Sequence, residues 1–270
     1  MVQRRILSMD MAIHIYFTIK GLELEIRVES WTSLKNCMRG ETIYTPPVGQ
    51  QLLIEKLHNW AEFMHRSSEF DPLVRLGVQH CQFEAIHPFS DGNGRTGYIL
   101  NILFLIEHGL LDSPILYLSR YIIQNKAVYY QLLANVTRDQ YWSPWIMLTI
   151  DGVEDTCTWT TDKIKSIREL MEHTGQFAQK RLPKIYSWEL VELLFKQPYC
   201  RIGNLVETGI AERQTGSVYL KKLCDLGVLK EVKMGRENIF VHPKYIELLM
   251  GEEDIWVYYS GVETDNADAI

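Results

Sequence analysis

Cysteine is scarce in this chain of 270 residues, which has five cysteines and no CxxC pair. An odd number of isolated cysteines is not typical of a disulfide framework or of a zinc site. Long apolar runs are missing too, since no stretch approaches the roughly 18 residues that a membrane span requires. Internal repeats and low-complexity segments are absent. The sequence therefore predicts a cytoplasmic protein that does not enter the membrane.

An excess of basic residues is also lacking. The formal net charge is −6, and residues 251–270 carry six acidic residues and no basic one. Residues 185–250 contain nine Lys or Arg against eight Asp or Glu, whereas a dedicated DNA-binding protein usually has a clearer basic surface. We expect the acidic tail to be solvated and disordered. With 46% hydrophobic residues, the chain is long enough for two domains.

Two helices are predicted on either side of residues 87–98. Upstream, apolar residues recur near the helical period, with Pro72 in the first turn and an end around Ile86. Downstream, the run Ile99–Ile106 is apolar almost all round, which indicates a buried helix that stops at Gly109. The sequence between them, HPFSDGNGRTGY, is therefore a helix–loop–helix connection.

The residue types of this loop are those of a phosphate site. Gly92 and Gly94 tolerate backbone angles that turn successive N–H groups to one side, where the next helix adds its positive end. Arg95 can hold two phosphate oxygens, and Asp91 is a hard oxygen ligand suited to Mg²⁺. His87 titrates in the range of a general base.

Phe89 is the one large apolar side chain within the loop, and we expect it to pack into the core. A single histidine beside a helix, or a Gly-Asn-Gly turn by itself, is usually structural. Their combination within nine residues favours a functional site.

HPFSDGNGRTGY resembles the signature of the Fic (Fido) family, which is His, any, Phe, any, Asp or Glu, Gly, Asn, Gly, Arg, two free positions and Arg. Only the last position differs, where Tyr98 replaces the second arginine. The stretch ETIYTPPVGQ at 41–50 is similar to the segment that closes the family's target-docking flap. The stretch LYLSRYIIQNKAVYYQLL at 116–133 is similar to the helix that follows the family's core.

The resemblance implies a mainly α fold, in which a Fic helical core with a short β-hairpin flap precedes a C-terminal winged helix-turn-helix domain. The predicted limits are 1–180 for the core, whose N-terminal region looks truncated, 184–250 for the winged helix and 251–270 for the tail. A long polar-faced helix over 153–180 is expected to end the core. After a boundary near 181–187, the sequence predicts three helices, and after them a hairpin over 228–243.

The activity that the resemblance implies is transfer of AMP from ATP to a hydroxyl side chain of a target protein, with release of pyrophosphate. His87 would be the general base, and Asp91 would hold Mg²⁺ against the α and β phosphates. The implied nucleotide-binding residues are Phe89, Asp91, Gly92, Asn93, Gly94, Arg95 and Asn125. Asn125 recurs at helical spacing with Tyr121 and Tyr129, and core packing is the other interpretation of these three.

The flap residues Thr42, Ile43 and Tyr44 form a β-prone run that ends in two prolines, which bar further strand pairing. By the resemblance, their free edge would pair with a segment of the target and present its hydroxyl. An ordinary edge strand is the other interpretation.

Tyr98 lacks the charge with which the family's second arginine orients the γ phosphate. The family's inhibitory pattern, Ser or Thr, three residues, Glu, then Gly or Asn, is also absent, because Lys233 precedes the Glu237–Asn238 pair where Ser or Thr is needed. Two hypotheses follow: an uninhibited but weakened enzyme, or a pseudoenzyme.

Three functions from different classes thus stand beside one another. The first is the AMP transferase, and the second is a related phosphotransferase built on the same fold. The third is a DNA-binding regulator with a vestigial core, which would read DNA through Arg213, Gln214, Thr215, Ser217 and Tyr219. A winged helix that packs on the core or holds a dimer is an equal alternative for the C-terminal domain.

Overall fold

A computed structural model describes residues 7–21, 26–28, 34–35, 42–66, 69–235, 237–252 and 254–260. The chain is mainly helical, as predicted. It divides into two units, residues 1–160 and 161–270.

The first unit consists of helices and one short hairpin. Its elements are α1 (Met9–Lys20), β1 (Leu34–Lys35), β2 (Thr42–Tyr44), α2 (Gln50–Arg66), α3 (Pro72–Ile86), α4 (Asn93–Glu107), α5 (Leu118–Gln124), α6 (Lys126–Asp139) and the first part of α7 (Trp142–Arg181).

Helix α3 lies at the centre of this unit, packed against α2 and α4. It starts where the Asp71 carboxylate accepts the N–H of Leu73 at 2.8 Å and Pro72 occupies the first turn. The indole of Trp60 in α2 donates to the carbonyl of Gln79 at 3.0 Å and packs within the hydrophobic core of the unit. The predicted start and end of α3 are both confirmed.

Helix α1 was not predicted. Ser8 caps its start by accepting the N–H of Met11, and Gly21 ends it with a φ of 68°. Ala12 and Tyr16 are buried in the core. Asp10, His14 and Thr18 recur every four residues and form its exposed face, which is a helical signal that the prediction overlooked.

The prediction of one helix over 116–133 is wrong, because this segment forms α5 and α6 with a break at Asn125. The Asn125 side chain donates to the carbonyl of Tyr121 at 2.9 Å, and its backbone leaves the helical region at φ −106° and ψ 25°. An asparagine that bonds the local backbone competes with continuation of the helix. Helix α7 begins at Trp142, earlier than the predicted residue 153.

The second unit follows the predicted order of three helices and a hairpin. Its elements after α7 are α8 (Trp188–Lys196), β3 (Tyr199–Cys200), α9 (Ile202–Glu207), α10 (Arg213–Asp225), β4 (Lys230–Met234), β5 (Glu237–Val241) and α11 (Pro243–Met250). The antiparallel sheet has the order β3-β5-β4. Met234 pairs with Glu237, so the turn starts at Gly235, which has a φ of 64°. The winged-helix assignment stays a prediction.

The predicted disorder of the tail is wrong for residues 254–260. The Asp254 carboxylate lies 2.6 Å from the ammonium of the buried Lys163, and Tyr259 is 6% exposed, with its N–H donating to His173 at 2.9 Å. The prediction rested on the acidic composition and overlooked the aromatic residues of this segment. Burial of an aromatic side chain such as Tyr259 favours packing of the segment. The rest of the predicted tail, Glu253 and residues 261–270, lies outside the described residues.

The two units meet at residue 160, inside α7, whereas α7 itself ends at Arg181, close to the predicted boundary. The predicted limits 1–180, 184–250 and 251–270 therefore stay a prediction. Among the described residues, no helix is long and apolar enough to cross a membrane.

Candidate active site

The candidate site is the loop that joins α3 to α4. His87 ends α3, where its N–H donates to the carbonyl of Phe83 at 3.0 Å. Its backbone adopts the left-handed conformation, with φ 49° and ψ 60°, which is uncommon for a residue other than glycine. The chain therefore turns sharply at the predicted base, and surrounding contacts must hold this conformation.

Phe89 anchors the loop in the core. Its side chain is fully buried, and its ring stacks on Tyr16 of α1 with centroids 3.8 Å apart. The expected packing into the core is confirmed. The buried ring gives the loop its shape, and a role of Phe89 in nucleotide binding stays a prediction.

Asn93 closes the loop on itself. Its carboxamide oxygen accepts the N–H of Phe89 at 2.9 Å, and its amide nitrogen donates to the carbonyl of Phe89 at 2.7 Å. The residue is 2% exposed. The Asn93 side chain thus holds the loop closed, and its predicted contact with the nucleotide stays a prediction.

The two glycines of the loop differ. Gly92 has a φ of 85°, which favours glycine, and a Cβ there would also lie 3.4 Å from Cε of Lys20. Gly94 lies inside the first turn of α4 and has no positive φ, so the expectation of special angles at Gly94 is wrong. Both residues lie at the positive end of α4, as a phosphate site requires.

Asp91 and Arg95 point outward. Their side chains are 71% and 60% exposed, and Arg95 Nη2 lies 3.7 Å from Asp91 Oδ2. The ammonium of Lys20, at the end of α1, forms an ion pair with the same carboxylate oxygen. Hydrogen bonds from Lys20 and from the backbone of Gly92 lower the pKa of Asp91, so it is ionised at neutral pH.

Asp91 suits Mg²⁺ by its charge, its exposure and its oxygen donor atoms. Among the described residues, no group of three or more His, Cys, Asp or Glu could hold a metal ion without help. A magnesium ion here would therefore need the oxygens of a bound phosphate chain, which is how magnesium usually accompanies a nucleotide.

His87 is held in the neutral form. Burial lowers its pKa, while the carbonyl of Glu84 acts in the opposite direction. The charge of Arg27 lowers the pKa further, and that of Asp91 raises it. A neutral imidazole beside an anion-binding loop can accept a proton from an attacking hydroxyl.

The flap hairpin is tied to the end of α3. Strand β1 pairs antiparallel with β2 and is the only strand that does so in the described part of the chain. The Tyr44 hydroxyl donates to the carbonyl of Ala85 at 2.9 Å. The side chains of Thr42 and Ile43 lie outside the described residues. The hairpin predicted as a flap therefore lies beside the loop that carries His87.

Tyr121, Asn125 and Tyr129 line a single cavity of about 30 Å³ between α5, α6 and α7. Such a volume accommodates one or two water molecules and is too small for an adenine ring. Tyr129 is buried, and its hydroxyl lies 2.9 Å from His80 Nε2. The packing interpretation is therefore confirmed for Tyr129, whereas an adenine contact by Asn125 needs a wider cavity.

Two protein-family models match this chain, and one of them covers the loop. Residues 11–105 match the Fic/DOC family model, and residues 170–245 match the model of the C-terminal domain of SoFic-like protein adenylyltransferases. Residues 11–105 of this chain therefore match the Fic/DOC family. The residues of the Fic loop from His87 to Arg95 all fall within the first match.

Individual relatives match parts of this chain. It is 38% identical over 77 residues to a probable protein adenylyltransferase of Aquifex aeolicus, which covers 28% of this chain and 23% of the relative. It is 27% identical over 139 residues to the protein adenylyltransferase Fic of Drosophila melanogaster, which covers 50% of this chain and 27% of the relative. The chain thus spans about a quarter of the length of these relatives.

A solved structure of a Fic family protein from Desulfovibrio desulfuricans G20 is similar to this chain with a TM-score of 0.49. The sequence identity is 15%, and the match covers 87% of this chain and 68% of the other.

Tyr98 replaces the second arginine of the Fic motif and is half-buried. Burial raises its pKa, and the neighbouring Glu84 raises it further, so the phenol stays neutral. Glu84 is itself 7% exposed, and burial raises its pKa to about 7. A Cβ at Gly97 would lie 2.9 Å from Glu84 Oε1, so a larger residue there would force the Glu84 carboxyl to shift.

Sequence reasoning missed Arg27, Lys20 and Glu84. Arg27 and Lys20 lie 60 and 71 residues from the loop residues that they contact, and no local pattern marks them. Glu84 occupies a polar position of an amphipathic helix, where the pattern predicts solvent exposure.

Proposed function

We propose that this protein transfers AMP from ATP to a Ser, Thr or Tyr hydroxyl of a target protein and releases pyrophosphate. The observation that carries the proposal is the division of one loop, which buries Phe89 and Asn93 while leaving Asp91 and Arg95 exposed beside a neutral His87. The relatives named protein adenylyltransferases support the same chemistry at the level of the family.

In the proposed reaction, the imidazole of His87 accepts the proton of the target hydroxyl. The hydroxyl oxygen forms a bond to the α phosphorus, and the bond from that phosphorus to the bridging oxygen of the β phosphate breaks. The backbone N–H groups at the start of α4, with Arg95, stabilise the charge on the phosphates. Asp91 would hold Mg²⁺, which neutralises phosphate charge when it is bound with ATP.

The target would dock on the flap. An extended segment that pairs with β2 (Thr42, Ile43 and Tyr44) would bring its side chains to the edge of the loop through backbone hydrogen bonds. The bond from Tyr44 to Ala85 supports this role, because it ties the docking edge to the helix that ends at His87.

Tyr98 would lower the rate. A neutral phenol beside Glu84 offers no cation for the outer phosphates, and Arg95 alone would have to hold them. We therefore propose a weakened transferase.

A second candidate function is DNA or dimer contact through the predicted winged helix. One face of α10 exposes Arg213, Gln214, Thr215, Lys221 and Lys222. Strand β4 is exposed along its whole length and adds Lys230 and Lys233. This surface would supply phosphate contacts if the unit binds DNA. Free cysteines at all four described positions are consistent with the proposed cytoplasmic location.

The deciding experiment incubates the purified chain and a cell lysate with Mg²⁺ and ATP labelled at the α phosphate. Wild type is compared with His87→Ala, and with His58→Ala as an exposed histidine of the same unit. We expect label on protein that is lost in His87→Ala by at least about 100-fold and kept in His58→Ala. Label from γ-labelled ATP alone would replace the proposal with phosphate transfer. No label from either position would favour a regulator with a disabled core.

A further inference from the structure

Arg27 is a buried charged side chain next to the Fic loop that the motif does not contain. It is 5% exposed. Its guanidinium Nε donates to the carbonyl of His87 at 2.6 Å, and its Nη2 donates to the carbonyl of Pro47 at 2.5 Å and to that of Ile86 at 3.4 Å. The backbone N–H of Arg27 donates to the carbonyl of Pro88 at 2.9 Å.

These partners come from two separate parts of the chain. Pro47 follows the flap strand β2, whereas residues 86–88 form the sharp turn at the end of α3. One planar guanidinium thus reaches the flap and the turn at the same time. A fork of fixed donors carries orientation from one segment to the other, which the single ammonium of a lysine cannot do.

The turn needs such support because His87 has a positive φ. A conformation of this kind in a residue with a side chain persists only where the surroundings over-determine it. Here Arg27 holds the carbonyls on both sides of the His87 backbone, those of Ile86 and His87. The backbone from which the imidazole projects is therefore held by a residue 60 positions earlier in the chain.

We propose that Arg27 is a positioning residue that couples the flap to the catalytic base, so that His87 is correctly oriented only while the flap strand is in place. The proposal rests on the proposed role of His87 as the base. Under this proposal, docking of a target on the flap and alignment of His87 reinforce each other, because both depend on the hydrogen bonds of Arg27.

The charge of Arg27 gives a second signature. The pKa of His87 is shifted by burial and by three neighbouring groups, the Glu84 carbonyl, Arg27 and Asp91. Of these, Arg27 is the one cation, and it lowers the pKa. Its replacement by methionine should raise the pKa of His87, so that the acidic limb of the pH–rate profile moves to higher pH. Its replacement by lysine keeps the charge and should leave that limb nearly unchanged.

The test compares Arg27→Met and Arg27→Lys with Arg75→Met. Arg75 is a matched control, since it is also buried, also donates to a carbonyl and lies at the other end of α3. For Arg27→Met we expect kcat to fall by about 10- to 100-fold with little change in KM for ATP. Arg27→Lys should lose part of kcat, and added guanidinium should restore part of the rate of Arg27→Met. A loss of kcat no larger than that of Arg75→Met would overturn the proposal.

Hydrogen exchange provides a readout that does not need activity. If Arg27 couples the two segments, Arg27→Met and Tyr44→Phe should each raise exchange in residues 44–49 and 84–88 together, while Arg75→Met should not. Faster exchange in only one of the segments would refute the coupling. If the wild type transfers no AMP, the proposed function fails, but this exchange experiment still decides whether Arg27 links the flap to the turn.

Discussion

The loop from His87 to Arg95 has an inward half, Phe89 and Asn93, and an outward half, Asp91 and Arg95, and the two have different roles. Phe89 and Asn93 are almost fully buried; Phe89 stacks on Tyr16 of α1, and Asn93 bonds the backbone of the loop. Asp91 and Arg95 are mostly exposed and contact each other and Lys20. The inward residues fix the shape of the backbone, and the outward residues keep their charges available for a ligand.

This division teaches that a site motif does not identify ligand contacts position by position. Asn93 and Phe89 are among the binding residues that the resemblance implies, and in the structure their side chains are buried. Changes in the inward half should therefore appear as lost stability, and changes in the outward half as lost binding. The predictions for Phe89 and Arg95 test the two halves directly, and those for Glu84 and Lys20 test the residues around them.

Phe89→Ala should have the largest effect on stability. It removes a ring stacked on Tyr16 in a core with no solvent access, which costs about 3–5 kcal/mol of unfolding free energy. Denaturant unfolding measures this loss. Phe70→Ala is the control, because that ring is 55% exposed and its loss should cost far less. Equal costs for the two variants would remove the claim that the inward half anchors the loop.

Glu84→Gln should change how stability depends on pH. The folded-state pKa is raised from 4.5 to about 7, so the unfolded chain releases this proton first, and stability falls as pH rises between those values. The neutral glutamine removes a loss on the order of 3 kcal/mol. Unfolding free energies at pH 5 and pH 8 should therefore differ less in Glu84→Gln than in wild type. Glu69→Gln, at an exposed position, should leave the difference unchanged.

Arg95→Ala should leave the unfolding free energy within about 0.5 kcal/mol of wild type, because the side chain is 60% exposed. ATP binding in the presence of Mg²⁺ should weaken by about 10-fold or more, since a charged hydrogen bond to phosphate is lost. Titration calorimetry measures both ATP affinity and stoichiometry. The exposed Arg138→Ala serves as control. Unchanged ATP affinity in Arg95→Ala would contradict the role of the outward half.

Lys20→Met should have the smallest effect. Its ammonium occupies the Asp91 oxygen that a metal ion would use, so the ion pair competes with Mg²⁺. At saturating ATP, the Mg²⁺ concentration for half-maximal AMP transfer should fall by about two- to five-fold, as expected for a weak exposed pair. Lys126→Met is the control, being exposed and distant in sequence from the loop. A higher Mg²⁺ requirement would show that Lys20 helps to bind phosphate instead.

Sequence reasoning found the elements whose signals are local. The limits of α3 follow from the Asp71 cap and Pro72, and α8 to α10 follow from periodic apolar residues. It missed α1, although Asp10, His14 and Thr18 recur every four residues on one exposed face. It also missed the packing of residues 254–260, where acidic neighbours drew attention away from the buried Tyr259. The break at Asn125 was missed because one side-chain hydrogen bond decides it.

The sequence by itself determined the chemistry of the loop, because His87, Asp91 and Arg95 lie within nine residues and need only a tight turn to converge. Only the tertiary structure decided which of these side chains face outward, and which distant residues control them. Arg27, Lys20 and Tyr16 reach the loop from 60 to 73 residues away. Such contacts depend on how helices pack and on which polar groups burial leaves in need of partners, and neither is visible in local sequence.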